Sequence, residues 1–198
     1  MSAREVTAGP VASGPPPIPV LAAPWSVRVL TAGDDDARLV SRWMAEPHVD
    51  RFWEQAWPPE QWAEALAGQL AGQTSRPLLI SYEGQPFAYV EIYRTPRDVV
   101  GLHYDTDPHD LGVHLAIGDR ERTGRGLGRA MVRAIADGLA RADPRSRHLL
   151  ADPDERHEMA RRMFVGSGFR LMGVSDLGHK RAALHVRDLA TDTAPHDR

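Results

Sequence analysis

His114 stands in an alternating run, D-L-G-V-H-L-A-I (110–117), and shortly after it the chain reads T-G-R-G-L-G (123–128) at the head of a long amphipathic stretch. Histidine is the side chain whose ordinary titration falls near neutrality, so His114 is a candidate acid–base group. A glycine-rich turn opening a helix exposes backbone N–H groups at the positive end of the helix dipole, which forms a cradle for phosphate or pyrophosphate. An acid–base strand followed by a phosphate cradle implies an enzyme that uses a phosphorylated co-substrate. Asp152 opens D-P-D-E-R (152–156) at the end of another strand-like run, where open α/β sheets place ligand groups. Asp152 or Asp154 is equally suited to cap the helix that follows.

The elements that must hold these residues follow from periodicity. Residues 25–30 alternate and predict a strand. Residues 34–45 place Leu39, Val40, Trp43 and Met44 on one helical face behind three aspartates. Pro58 and Pro59 suit the first turn of a second helix, with Trp62, Leu66 and Leu70 on its face. Residues 78–82 and 87–93 flank Glu83-Gly84 and predict a hairpin. A polar stretch, 94–109, leads to the strand 110–117. Leu127, Met131, Val132, Ile135 and Leu139 form a 3.6-residue stripe after the glycine turn. A short strand (147–151), a helix (155–167, ended by Gly168) and a strand pair (169–174 and 182–186) complete the order β-α-α-β-β-β-α-β-α-β-β. The expected fold is a single α/β domain over 25–190, with a mixed, mostly antiparallel sheet flanked by helices. Six prolines in residues 1–24 predict a flexible leader, its end packed on the domain, and 191–198 predict a polar tail.

Composition narrows the function. A chain of 198 residues with 42% hydrophobic and 26% charged content is ordinary for one globular domain. The net charge of −3 gives no basic footprint for nucleic acid. Cysteine is absent, which excludes disulfides, thiolate metal sites and a cysteine nucleophile, and suits a reducing cytoplasm. No apolar run reaches the ~20 residues of a membrane span, and no signal peptide is evident. His48, His103, His109 and His114 match no familiar metal-ligand spacing, so no metal is expected.

The element order, with its glycine turn after the fourth strand, resembles the GNAT superfamily of acyl-CoA-dependent acyltransferases over residues 25–190. The family's turn reads Arg/Gln-x-x-Gly-x-Gly/Ala. Gly126 and Gly128 fit it, Thr123 stands where Arg or Gln is usual, and Arg122 lies one residue early. The strings W-M-A-E-P-H-V (43–49), F-W-E-Q-A-W-P (52–58), H-Y-D-T-D-P-H-D-L-G-V-H-L-A-I (103–117) and A-D-P-D-E-R (151–156) are similar to the siderophore-biosynthesis branch. That branch contains mycobactin-type lysine acyltransferases and aerobactin-type hydroxylysine acetyltransferases. The aminoglycoside 6′-N-acetyltransferases look related through the W-M element, the turn and the aspartate-proline; there the position of His114 is typically aspartate, which suits a polycationic sugar.

The resemblance implies acetyl-CoA or a longer acyl-CoA as co-substrate, or an acyl carrier protein as donor, and a small-molecule amine as acceptor in a monomer or homodimer. It places the donor on Leu115, Ile117, Thr123, Gly124, Arg125, Gly126, Leu127, Gly128, Arg129 and His157. It places Asp152 on the acceptor amine, as its holder or its base. Amide formation needs a deprotonated nitrogen, and a lysine-type amine with a reference pKa of about 10.4 needs a base, for which His114 is the candidate. Gly112 and Ala116 share a strand face with His114 and leave room for a ligand, although a histidine there also reads as a core residue with one hydrogen bond. Trp53 and Trp57, in a loop-like stretch, are candidate groove aromatics, and Tyr93, His103 and Asp110 complete the expected acceptor side. Phe164 stands where many members carry a tyrosine acid, and His157 where many carry a pantetheine-binding asparagine. Three functions follow: a siderophore-pathway acyltransferase, an aminoglycoside acetyltransferase, or a non-catalytic acyl-CoA-binding module.

Overall fold

The computed structural model describes residues 13–189; the expected tail, and the leader before Ser13, lie outside them. Alternation and β-branched content make the strands β1 (Trp25–Val29), β2 (Ser75–Tyr82), β3 (Gln85–Arg94), β4 (Leu111–Ile117), β5 (His148–Ala151), β6 (Arg170–Asp176) and β7 (Arg181–Asp188). Helical periodicity makes α1 (Asp34–Met44), α2 (Pro47–Trp53), α3 (Pro59–Ala71), α4 (Leu127–Ala142) and α5 (Glu158–Gly166). The strands form one sheet in the order β1-β2-β3-β4-β5-β7-β6, antiparallel at every junction except β4–β5. The expected mixed, mostly antiparallel α/β domain is therefore what forms.

Alternate residues of the sheet face two different layers. Val90, Ile92, Val113 and Leu149 pack with Met131, Val132, Ile135 and Leu139 of α4 and with Phe164 of α5. The opposite face carries Leu79, Tyr89 and Ala116 against Val40 and Trp43 of α1 and Trp62 and Leu66 of α3. Further along that same face lies a third cluster, Val100, Leu150, Leu177, Leu184 and Val186. The second and third clusters leave a gap between them, and the polar residues discussed below occupy it.

Two parts differ from the sequence expectation. Residues 47–53 form the helix α2 rather than a loop, begun by Pro47, whose missing N–H costs nothing at a first helical position. Residues 95–103 form two 3-10 turns instead of an irregular stretch. The end of the leader also has a fixed place. Arg94, only 2% exposed, donates hydrogen bonds to the carbonyls of Ser13, Gly14 and Pro15, and Val20 N–H donates to Gly138 O.

Candidate active site

Strand register builds the site. Glu91 of β3 lies opposite His114 of β4, and Tyr93 lies opposite Gly112, so these side chains share one sheet face. Gly112 is needed there for a specific reason: a Cβ would sit 2.0 Å from Cζ of Tyr93. The room that Gly112 leaves is thus filled by the Tyr93 ring, not by a ligand. Asp152 follows the last residue of β5 on the same face and is 3% exposed.

His114 is held from both sides. Its Nδ1 lies 3.2 Å from Glu91 Oε2 and its Nε2 3.0 Å from Asp152 Oδ1. Both partners are carboxylates and only accept, so both contacts are hydrogen bonds only when the ring carries two N–H groups, as an imidazolium. Burial alone would lower the His114 pKa. The Asp152 charge and hydrogen bond, joined by those of Glu91, outweigh it and raise the pKa to about 10. The ring remains 29% exposed and can meet a ligand.

Each carboxylate is braced in turn. Tyr89 O–H and Gln69 Nε2 donate to Glu91 Oε1, the latter at 2.7 Å. Tyr93 O–H donates to Asp152 Oδ1 at 3.0 Å, and Lys180 Nζ sits 2.9 Å from Asp152 Oδ2. Burial would raise the Asp152 pKa, but the His114 charge and hydrogen bond, then Lys180, hold it far below the usual carboxylate range. Glu91 is likewise lowered against its own burial, first by its hydrogen bond from His114. Burial and the Asp152 charge hold the Tyr93 phenol far above its ordinary value, so it acts as a donor. Trp53, the last residue of α2, presents its ring edge-on to His114 at 6.2 Å and 82°.

A second opening lies beside this cluster. β4 and β5 pair only at Leu111–Leu149 and Gly112–Leu150, so beyond Gly112 the β4 edge, including Leu115 and Ile117, has no partner strand. Such an edge offers backbone N–H and C=O groups to an extended amide-bearing ligand. The Ile117 carbonyl accepts from His48 Nε2 at 3.0 Å, so Leu115 is the freer of the two expected backbone contacts. The turn follows at once. Gly124 and Gly126 have φ of 73° and 83°, with nothing within 4 Å of their Cβ positions. Gly126 caps α4, and the first helical hydrogen bond is Ala130 N–H to Gly126 O. The N–H groups of Leu127, Gly128 and Arg129 precede that bond and stand open to a phosphate. The residues present therefore fit the pyrophosphate and pantetheine of an acyl-CoA donor.

This chain belongs to the GNAT acetyltransferase family. The family model matches residues 32–177. The GNAT chain is 38% identical over 180 residues to lysine N-acyltransferase MbtK of Mycobacterium sp. (strain MCS), covering 91% of this chain and 73% of that one. It is 29% identical over 153 residues to the N(6)-hydroxylysine O-acetyltransferase of Escherichia coli, covering 77% of this chain and 49% of the other. Aminoglycoside acetyltransferase AAC(6′)-Ib in complex with coenzyme A shares the fold, with a TM-score of 0.75 at 23% identity over 83% of this chain and 94% of that one.

Several expected site residues lie elsewhere in the GNAT chain. Asp110 is fully buried and accepts from Tyr104 O–H, Asp107 N–H and His148 N–H, so it ties these segments together. Trp57 packs on Trp62 at 5.1 Å and its carbonyl takes the Ser41 hydroxyl, which anchors the α2–α3 link. Tyr93 serves Asp152 rather than lining a groove. His103 is exposed on a 3-10 turn, with no contact to the His114 cluster. His157 caps α5 through Nδ1 and stacks on Phe52 at 3.9 Å; burial lowers its pKa, leaving a neutral ring with its N–H on Nε2. Thr123 Oγ1 donates to Arg120 O, while Arg122 reaches Pro86 O instead of the turn. Arg125 and Arg129 are exposed at the cradle. Phe164 faces Phe169 and His185 in the core.

Glu91 and Lys180 were the residues that sequence reasoning undervalued. Glu91 is the lone carboxylate in F-A-Y-V-E-I-Y (87–93), a signal of buried polarity whose partner only the register reveals. Lys180 lies in a hairpin turn, where a lysine has an ordinary surface explanation.

Proposed function

We propose that the protein transfers an acyl group, acetyl or longer, from acyl-CoA or an acyl carrier protein to the side-chain nitrogen of a lysine- or ornithine-type siderophore precursor, with the hydroxylamine form as the better acceptor. The observation that carries this reading is the His114 ring, clamped by two carboxylates beside the open edge of β4. The names of the similar lysine N-acyltransferase and N(6)-hydroxylysine O-acetyltransferase support the same acceptor class.

The acceptor nitrogen attacks the thioester carbonyl, a C–N bond forms, and the C–S bond breaks. His114, once deprotonated, takes the proton that the nitrogen sheds, and the sulfur leaves as a thiolate whose thiol has a pKa of about 8.5, a tolerable leaving group without a dedicated acid. Among the described residues no side chain at this site is placed as a covalent nucleophile, so the proposed transfer is direct within a ternary complex. The clamp bears on the choice of acceptor. With the His114 pKa at about 10, the neutral ring is a minor species at pH 7. An alkylamine with a pKa of about 10.4 is also mostly protonated there, so two scarce forms must meet. A hydroxylamine nitrogen is far less basic and already neutral, which removes one of the two penalties. An aminoglycoside is a poorer fit, because Glu91 and Asp152 are engaged by His114 and Lys180 and not offered to ammonium groups.

The test is thiol release from acetyl-CoA and a long-chain acyl-CoA against lysine, N6-hydroxylysine and a panel of aminoglycosides at pH 7. Faster turnover on hydroxylysine than on lysine is expected. Turnover confined to the aminoglycosides overturns the reading.

A further inference from the structure

Of the 24 basic residues in the chain, Lys180 is the only lysine. It is also the basic side chain that the fold brings to the His114 cluster. The β6–β7 turn fixes its backbone: Leu177 N–H donates to Lys180 O at 2.9 Å, Gly178 N–H donates to Asp176 Oδ1, and Leu177 is buried among Val100, Leu150 and Leu184. From that fixed base the ammonium, on a side chain 23% exposed, reaches Asp152 Oδ2.

The two oxygens of Asp152 are divided. Oδ1 serves His114 and Tyr93, and Oδ2 serves Lys180. A compact ammonium suits a carboxylate with one oxygen already committed. A guanidinium fork matches both oxygens together and would compete for Oδ1. That gives a physical reason for lysine here in a chain that otherwise uses arginine.

We propose that Lys180 is a positioning residue for acyl transfer: it fixes Asp152 through Oδ2 and offsets its charge, so that His114 can release its proton at a lower pH than Asp152 alone would allow. The inference rests on the acyl-transfer reading of this site. The groups facing His114 are Glu91 and Tyr93 from β3, Asp152 after β5 and Trp53 from α2; Tyr89 and Gln69 act through Glu91, and Lys180 through Asp152. Asp154, itself bound by Arg156, is the other carboxylate near Lys180. Among the described residues Lys180 is thus the cation set against Asp152, and its removal leaves the attraction of Asp152 for the imidazolium unopposed.

The experiment follows the imidazole signal of His114 by 15N NMR across pH in the full chain, identified by its loss in H114Q, for wild type, K180M, K180Q and K180R. Thiol release is measured over the same range. The K180M midpoint is expected about one unit higher, the effect of one nearby charge, with about a tenfold lower rate at pH 7 that recovers as pH rises. K180R keeps the charge and so the midpoint, but loses rate through its misfit at Oδ1. An unchanged midpoint in K180M, or a loss of rate equal at every pH, overturns the proposal and leaves Lys180 a brace of the hairpin. If K180M fails to fold, K180Q against K180R decides the same question. A wild type silent on every acceptor sinks the acyl-transfer reading alone, because the NMR comparison does not depend on turnover.

Discussion

The parallel pair β4–β5 carries a histidine–aspartate contact at each end, and the two ends do different things. At the paired end, His148 Nδ1 lies 3.1 Å from Asp110. At the open end, His114 Nε2 lies 3.0 Å from Asp152. The histidines are equally exposed, at 28% and 29%, and both aspartates are buried. What differs is the setting. Asp110 spends its oxygens on loop N–H groups and a tyrosine, beside strands still joined at Leu111–Leu149. Asp152 is shared with Lys180 and Tyr93, beside strands that have parted, an aromatic wall and a glycine cradle. Close contact between a histidine and an aspartate does not by itself make a reactive site; what sets the His114 end apart is the unpaired β4 edge beside it, on which the proposed donor would lie.

Substitution should separate the two ends sharply. His114→Ala is expected to lower acyl transfer by about 10²–10⁴-fold, the range for a general base, while His148→Ala leaves the rate constant of folded protein near wild type. Steady-state kinetics on the two variants checks this, and equal losses would erase the distinction.

The order reverses for stability. Asp110→Ala strands the N–H groups of Asp107 and His148, at about 1–3 kcal/mol for each group left unsatisfied, while the Tyr104 hydroxyl keeps Thr95 Oγ1 as a partner. Thermal melts should show Asp110→Ala as the most damaging of the single changes at either end, with little effect on the turnover of what remains folded.

The smallest effect is one of pH. The folded-state pKa of His114 is raised above its unfolded value of about 6.5 to about 10. Its contribution to stability is therefore fully present below pH ~6.5 and is lost as pH rises through the folded pKa. The melting temperature of wild type minus that of H114Q should be larger at pH 6 than at pH 10, reduced in size by the solvent that reaches the ring. A flat difference would mean that the clamp does not hold charge in solution.

The same contrast explains what could be read from the sequence. The strands, four of the five helices and the glycine turn follow from periodicity and turn chemistry, which are local. His114 and Asp152 came from their places in the pattern and from family resemblance. Asp110, expected on the acceptor side, and Asp152, expected as holder or base of the amine, are both carboxylates at a strand terminus; the parting of β4 from β5 after Gly112, which sets their surroundings apart, is a property of pairing. Glu91 depends on the β3–β4 register and Lys180 on a hairpin folding back over β5, both of which join residues far apart in the chain. The α2 helix escaped because its seven residues are too short to establish a period and Pro47 resembles a breaker.

The short β4–β5 junction also bears on how the molecule keeps to itself. A strand edge with unmet hydrogen bonds normally invites another chain to add on. Here the bare length of β4 lies inside the sheet, with β3 paired on one side and β5 joined to it only at its start, so a foreign strand meets a slot and not a margin. A slender ligand carrying amides can enter that slot and complete the missing rung of the sheet. Occupancy would then become a form of folding: a donor bound as proposed would join two halves of a sheet that pair at two positions, and the protein should melt at a higher temperature as donor concentration rises past its dissociation constant.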